Sequence, residues 1–191
     1  MKRYILTIIL FLPLIIIAQN TKSKEGNIIT WTKDSPLTWA DFKGGAENAD
    51  KQEAAAVYTQ LTMTPDAKNK DTVKYFIYAQ AVKNKSWRLK TANTDYLLKH
   101  EQTHFDISEL FAREFRKELS ETAFTTKTLN NQIEKLFKKY YKLLGEEQTK
   151  YDKETVHSIN KDKQEEWNNK IKEELSLYKL YSDPVVILNV N

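Results

Sequence analysis

Residues 93–120 read NTDYLLKHEQTHFDISELFAREFRKELS, and the fold of this stretch decides how the rest of the chain is arranged around it. It has no glycine or proline, and Asn93 or Thr94 stands where a helix wants its N-cap, so a helix is predicted to run to about Ser120. At 3.6 residues per turn, Leu97, Glu101, His104, Ser108, Phe111, Phe115 and Leu119 share one stripe, flanked by Leu98, Phe105 and Leu110. The core-facing stripe therefore also carries His100, Glu101 and His104.

On the N-terminal side of this helix the pattern is that of strands. Residues 27–33 (NIITWTK) alternate weakly, and residues 36–45 give a turn, a compact aromatic segment and a glycine stop. Ala55 to Thr64 and Thr72 to Val82 both read as strands, the second (TVKYFIYAQAV) rich in β-branched and aromatic residues. Between them residues 65–71 make a loop long enough for an open hairpin. On the C-terminal side, Leu129, Ile133, Leu136, Tyr140, Leu144 and Tyr151 mark a second helix from about Thr128 to Tyr151. Trp167, Ile171, Leu175 and Tyr178 mark a third, from about Gln164 to Tyr178, and residues 182–191 predict a short terminal strand. Strands followed by helices give an α+β domain: a small antiparallel sheet in the N-terminal half, then the histidine-bearing helix and two further long helices.

The first 18 residues read as a secretory signal peptide: basic Lys2 and Arg3, an apolar run from Ile5 to Ile17, and Ala18 before a cleavage. That run, interrupted by Pro13, is shorter than the roughly 20 residues of a spanning helix, so no stable membrane insertion is expected after cleavage. Residues 19–191 leave about 170 residues for a single exported domain, in the periplasm or outside the cell. The absence of cysteine means that export brings no disulfide framework. Lys2 and Arg3 lie in the signal, so the 30 Lys+Arg and 26 Asp+Glu of the whole chain become 28 against 26. Interspersed signs at near balance exclude a nucleic-acid footprint, which needs a clustered basic face.

His100-Glu101-Gln102-Thr103-His104 uses two of only three histidines. Imidazoles four apart on a helix can hold one Zn²⁺, and the glutamate beside the first reaches a water at the ion. Glu101 is then the expected catalytic base, taking a proton as water attacks a carbonyl and passing it to the leaving amine. A catalytic zinc takes three protein ligands. The candidates for the third are His157, Glu154 and Asp106. Asp106 is two residues past His104 and points off that face, so a surface or helix contact suits it better. His157 is preferred, with Glu154 the alternative. Asp152 or Asp106 is a candidate partner for a ligand imidazole. Tyr151 is a candidate oxyanion donor, although its spacing favours the core, and Trp39 and Phe42 read as packing residues. The edge of the strand at 72–82 is a candidate for pairing with an extended peptide.

Three stretches carry a specific resemblance: residues 37–44 (LTWADFKG), residues 98–107 (LKHEQTHFDI) with Arg113, and residues 151–157 (YDKETVH) with Gln164 and Trp167. Together they resemble the bacterial secreted Zn-dependent protease family that is catalogued as a domain of unknown function. In that family's pattern the last histidine is followed by glycine, where this chain has Ser158. The resemblance implies a zincin-like site with one Zn²⁺ per chain on His100, His104 and His157, acting on a peptide or protein substrate. The competing expectation is a zinc-holding envelope or adhesion module without turnover. Oligomeric state is not legible.

Overall fold

The computed structural model describes residues 26–46, 53–66 and 73–191. The expected signal peptide at 1–18 and the tip of the 65–71 loop lie outside the described residues. The fold is α+β, as expected. Its main antiparallel sheet has the order β1 (Ile28–Thr30), β4 (Lys74–Val82), β3 (Thr59–Pro65), and β7 (Val185–Ile187) also pairs with β4. Alternation along β4 sends Ile77, Ala79 and Ala81 into the core. Val186 of β7 pairs with Tyr75, so the terminal strand closes the sheet built by the N-terminal half.

Because β4 has β3 on one side and β1 and β7 on the other, its edge is not free to receive a peptide, which corrects the expectation placed on residues 72–82. The single strand expected from Ala55 to Thr64 is two: β2 (Ala55–Ala56) pairs with β5 (Trp87–Arg88), while β3 pairs with β4. The break has a physical cause. The Val57 N–H donates to the Glu101 carboxylate at 2.7 Å and the Tyr58 N–H to the Ser86 hydroxyl at 3.0 Å, so neither is left for a strand partner.

Across the sheet lies α1 (Asp95–Glu121), whose Thr94 hydroxyl caps the Leu97 N–H at 3.2 Å. Phe105, Ile107, Ala112, Phe115 and Leu119 are buried against the sheet and the other helices. Against α1 pack α2 (Leu129–Thr155) and α3 (Lys161–Leu177), the latter capped by Asn160. The second helix ends later, and the third begins earlier, than the sequence pattern predicts. At the end of α2, Tyr151 and Thr155 are fully buried, and the Thr155 hydroxyl bonds the Tyr151 carbonyl at 2.8 Å, which retains one further turn. That extra turn keeps Asp152 on the helix, four residues after Gln148. A short parallel pair, β6 (Ala123–Phe124) with β8 (Asn189–Val190), ties the chain end to the α1–α2 connection. Among the described residues no helix is long and apolar enough to cross a membrane.

Candidate metal centre

Where α1, α2 and the β2–β3 segment meet, a cavity of about 240 Å³ is lined by His100, Glu101, His104, Asp152, His157 and residues 53–59. One turn of α1 separates the two imidazoles, whose rings stand edge to face with centroids 4.8 Å apart. Asp152 Oδ1 lies 3.3 Å from His100 Nε2 and 2.9 Å from His104 Nε2. Donors about 2.0–2.1 Å from a tetrahedral ion are roughly 3.3 Å from one another, and the ligand atoms of these three residues all lie within 4.8 Å of one another, a group able to hold a metal ion.

The outer nitrogens fix the tautomers. Gln164 Oε1 lies 2.7 Å from His100 Nδ1, and Gln148 Oε1 makes the equivalent contact with His104 Nδ1. The orientation of each amide is settled by its other end. Gln148 Nε2 donates to the His104 carbonyl at 2.9 Å, and Gln164 Nε2 donates to the Tyr151 hydroxyl and, at 2.9 Å, to Asn168 Oδ1. An amide oxygen only accepts, so both Nδ1 atoms carry the proton and both Nε2 lone pairs face Asp152. Two lone pairs and a carboxylate converging at this distance repel unless a cation stands between them. On the metal-free chain a proton can take that place. Burial opposes the charged His104, but the hydrogen bond to Asp152 and the charges of Asp152 and Glu101 raise its pKa. Burial by itself raises Asp152, yet its hydrogen bonds from His100 and His104, with their charges, hold it well below the usual carboxylate range.

Glu101 is 2 % exposed, and its Oε2 is held by the Val57 N–H while Oε1 has no hydrogen-bond partner among the described residues. Burial pushes its pKa up, against the lowering influence of His104, His100 and the Val57 N–H. A carboxylate whose proton affinity is raised in this way is a better base near neutrality.

His157 lines the same cavity but stands beside the trio: its Nδ1 is 3.8 Å from Asp152 Oδ1 and 3.7 Å from Glu53 Oε1. Glu154, the alternative third ligand, faces elsewhere and accepts from Trp167 Nε1 at 2.8 Å. Asp106 accepts from Trp31 Nε1 at 2.8 Å and from Gln102 Nε2 at 2.7 Å, on the other side of α1. Tyr151 is fully buried, stacks on His100 with centroids 4.7 Å apart and donates to the His100 carbonyl at 3.3 Å, so it packs and positions the ring. Phe42 is a core residue with Trp39 packed against it, as expected.

Sequence reasoning did not place Gln148 or Gln164 behind the imidazoles, and it took Asp152 as a partner of one imidazole, whereas Asp152 converges with both. The signal for two of them was the four-residue spacing of Gln148 and Asp152, which puts both on one face of α2. Gln164 acts on His100 from the first turn of α3. Replacing Gln164 with leucine is expected to weaken zinc binding by about 10–100-fold, because the His100 ring loses its tautomer and orientation. Competition with a zinc chelator measures this, and an unchanged affinity would reduce Gln164 to packing.

The turn that brings His157 to the cavity is left-handed at three successive residues, Val156 (φ 51°), His157 (φ 48°) and Ser158 (φ 72°). The N–H groups of Val156 and His157 both close on the Asp152 carbonyl, ending α2 and reversing the chain. L side chains disfavour this region by roughly 1–2 kcal/mol per residue. Ser158→Gly is therefore expected to stabilise the protein by about 1 kcal/mol and raise Tm by about 2–4 °C, read by thermal unfolding. A lower Tm would mean that the serine hydroxyl stabilises the turn.

No curated protein and no solved structure matches the chain. Residues 37–158, more than half of the chain, match a family described as a bacterial protein of unknown function (DUF922). The matched span begins at Leu37, runs through the α1 histidines and ends just past His157, so it contains every residue that lines the cavity, while Gln164 lies beyond it. The chain belongs to this bacterial family.

Proposed function

We propose that the protein is an exported zinc-dependent hydrolase of peptide bonds, with one zinc per chain held by His100, His104 and Asp152. The observation that carries this reading is the convergence of two Nε2 lone pairs and Asp152 Oδ1, with Glu101 beside them. The reading departs from the sequence-level choice of His157 as third ligand because the ligand atoms of His100, His104 and Asp152 lie within 4.8 Å of one another, a group that His157 does not join. Export rests on the reading of residues 1–18.

Zinc at this position supplies Lewis acidity, bringing the pKa of water to roughly 7 and polarising a carbonyl. The chain supplies the rest. Glu101, anchored through one oxygen, has the other free to accept a proton from the attacking water and return it to the leaving nitrogen. His157, on the cavity wall and 31 % exposed, is placed to donate to the oxygen on which charge develops. Residues 54–59 also line the cavity, and an extended chain can lie along them. The cavity of about 240 Å³ is smaller than a pocket for a drug-sized ligand, about 300 Å³ or more, and suits one peptide unit of a longer substrate.

The test is cleavage of a mixed peptide library by the purified protein, before and after chelation and after zinc is restored. New termini that disappear with the chelator and return with zinc are expected. A zinc-loaded protein that cleaves no peptide in the library would contradict the peptidase assignment and favour a zinc-holding module.

A further inference from the structure

The face of α1 opposite the histidines is also polar and sheltered. Lys99, Gln102, Asp106, Glu109, Arg113 and Arg116 follow one another at three- and four-residue spacing, about half a turn from His100 and His104. They line a second cleft, of about 1080 Å³, between β1, α1 and α3.

Much of this stripe is structural. Arg116 is saturated by the carbonyls of Ile77 and Tyr181 and by Glu109. Arg113 is different. It is 7 % exposed; its Nε donates to Glu109 at 2.9 Å and its Nη1 to the Leu175 carbonyl at 2.7 Å, while its Nη2 has no hydrogen-bond partner among the described residues. Its guanidinium stands over the Trp31 ring, 5.2 Å from the centroid. Around the mouth, Lys33, Lys99, Lys172 and Lys179 are exposed, and none of them makes a salt bridge among the described residues. The lining carries six cationic side chains against the three carboxylates of Asp106, Glu109 and Glu165. Glu109 is already paired with both arginines.

This concentration of charge stands out in a chain whose two signs otherwise nearly balance. A concave wall with an excess of one sign focuses the field and raises the local concentration of the opposite ion. A buried guanidinium with one nitrogen unused fits a carboxylate or phosphate oxygen, and the apolar side chains of Ile171 and Leu175 receive the body that carries it. We propose that this cleft is a second binding site, separate from the metal centre, for a small organic anion bearing carboxylate or phosphate groups, received by Arg113 and the lysine rim.

Citrate and inorganic pyrophosphate serve as probes, one for each anion type, titrated into the purified protein by calorimetry at low ionic strength. The Trp31 indole N–H resonance, assigned with Trp31→Phe, reports where they bind. Saturable binding of either probe with a shift of that resonance is expected, and which probe binds more tightly tells carboxylate from phosphate. Lys99→Glu with Lys172→Glu, both on the exposed rim, should weaken binding by at least about tenfold and leave zinc content unchanged. Arg113→Lys, which keeps the charge but loses the fork, should also weaken it. Failure of both probes to bind at about 10 mM, or an affinity indifferent to the double reversal, would overturn the proposal.

Discussion

Glu101→Gln is expected to retain one zinc per chain and to lose hydrolysis by about 10²–10⁴-fold, the usual contribution of a positioned general base. The geometry makes this a clean exchange. Glu101 touches the rest of the protein through Oε2 and the Val57 N–H, and a glutamine oxygen accepts that bond equally well. The cavity keeps its shape, and the ligands lose only a neighbouring charge. Burial raises the pKa of Glu101, so the ionised carboxylate is held at a cost that the neutral amide escapes. The Glu101→Gln variant, free of metal, should therefore unfold at a higher temperature than its metal-free parent at neutral pH. Turnover, zinc content and Tm on the same preparation separate the possibilities. Turnover equal to that of the parent would remove Glu101 from the reaction.

The second large effect concerns Asp152. Asp152→Ala is expected to lower zinc affinity by at least about 1000-fold, since one of three ligands is lost from a binding free energy on the order of 10–16 kcal/mol. The fold should survive, because the part of Asp152 that ends α2 is its backbone carbonyl, which caps Val156 and His157. His157→Ala is the matched control. It should change zinc affinity by less than about tenfold while lowering kcat, as for a side chain that faces substrate from the cavity wall. If His157→Ala strips the metal and Asp152→Ala leaves it, His157 is the third ligand and Asp152 its partner.

Much of this arrangement was legible in the sequence, for local reasons. The period of residues 93–120 identified α1, and the same period placed His100, Glu101 and His104 on its buried side. The α+β order followed from strand patterns giving way to helical ones. What escaped depends on contacts between distant residues. The break between β2 and β3 arises because Glu101 takes the Val57 N–H, a bond across 44 residues that no strand pattern announces. The last turn of α2 persists because Tyr151 and Thr155 are buried, and on that turn Asp152 joins His100 and His104 in one group. Polar residues opposite the apolar stripe of α1 ordinarily face water. Here α3 and β1 enclose them, so Asp106 takes the Trp31 indole and Arg113 the Leu175 carbonyl. Composition likewise concealed the second cleft, because near balance over the whole chain says nothing about where the unpaired lysines gather.

Everything proposed for the centre depends on a metal ion held by His100, His104 and Asp152. Elemental analysis of the purified protein, reported as zinc per chain, decides this, with the double substitution His100→Ala and His104→Ala prepared alongside. Close to one zinc per parent chain, and none in the double variant, is the expected result. A parent chain that stays free of metal after zinc is offered and the excess removed would refute the assignment, and the converging lone pairs would then be held by protons alone.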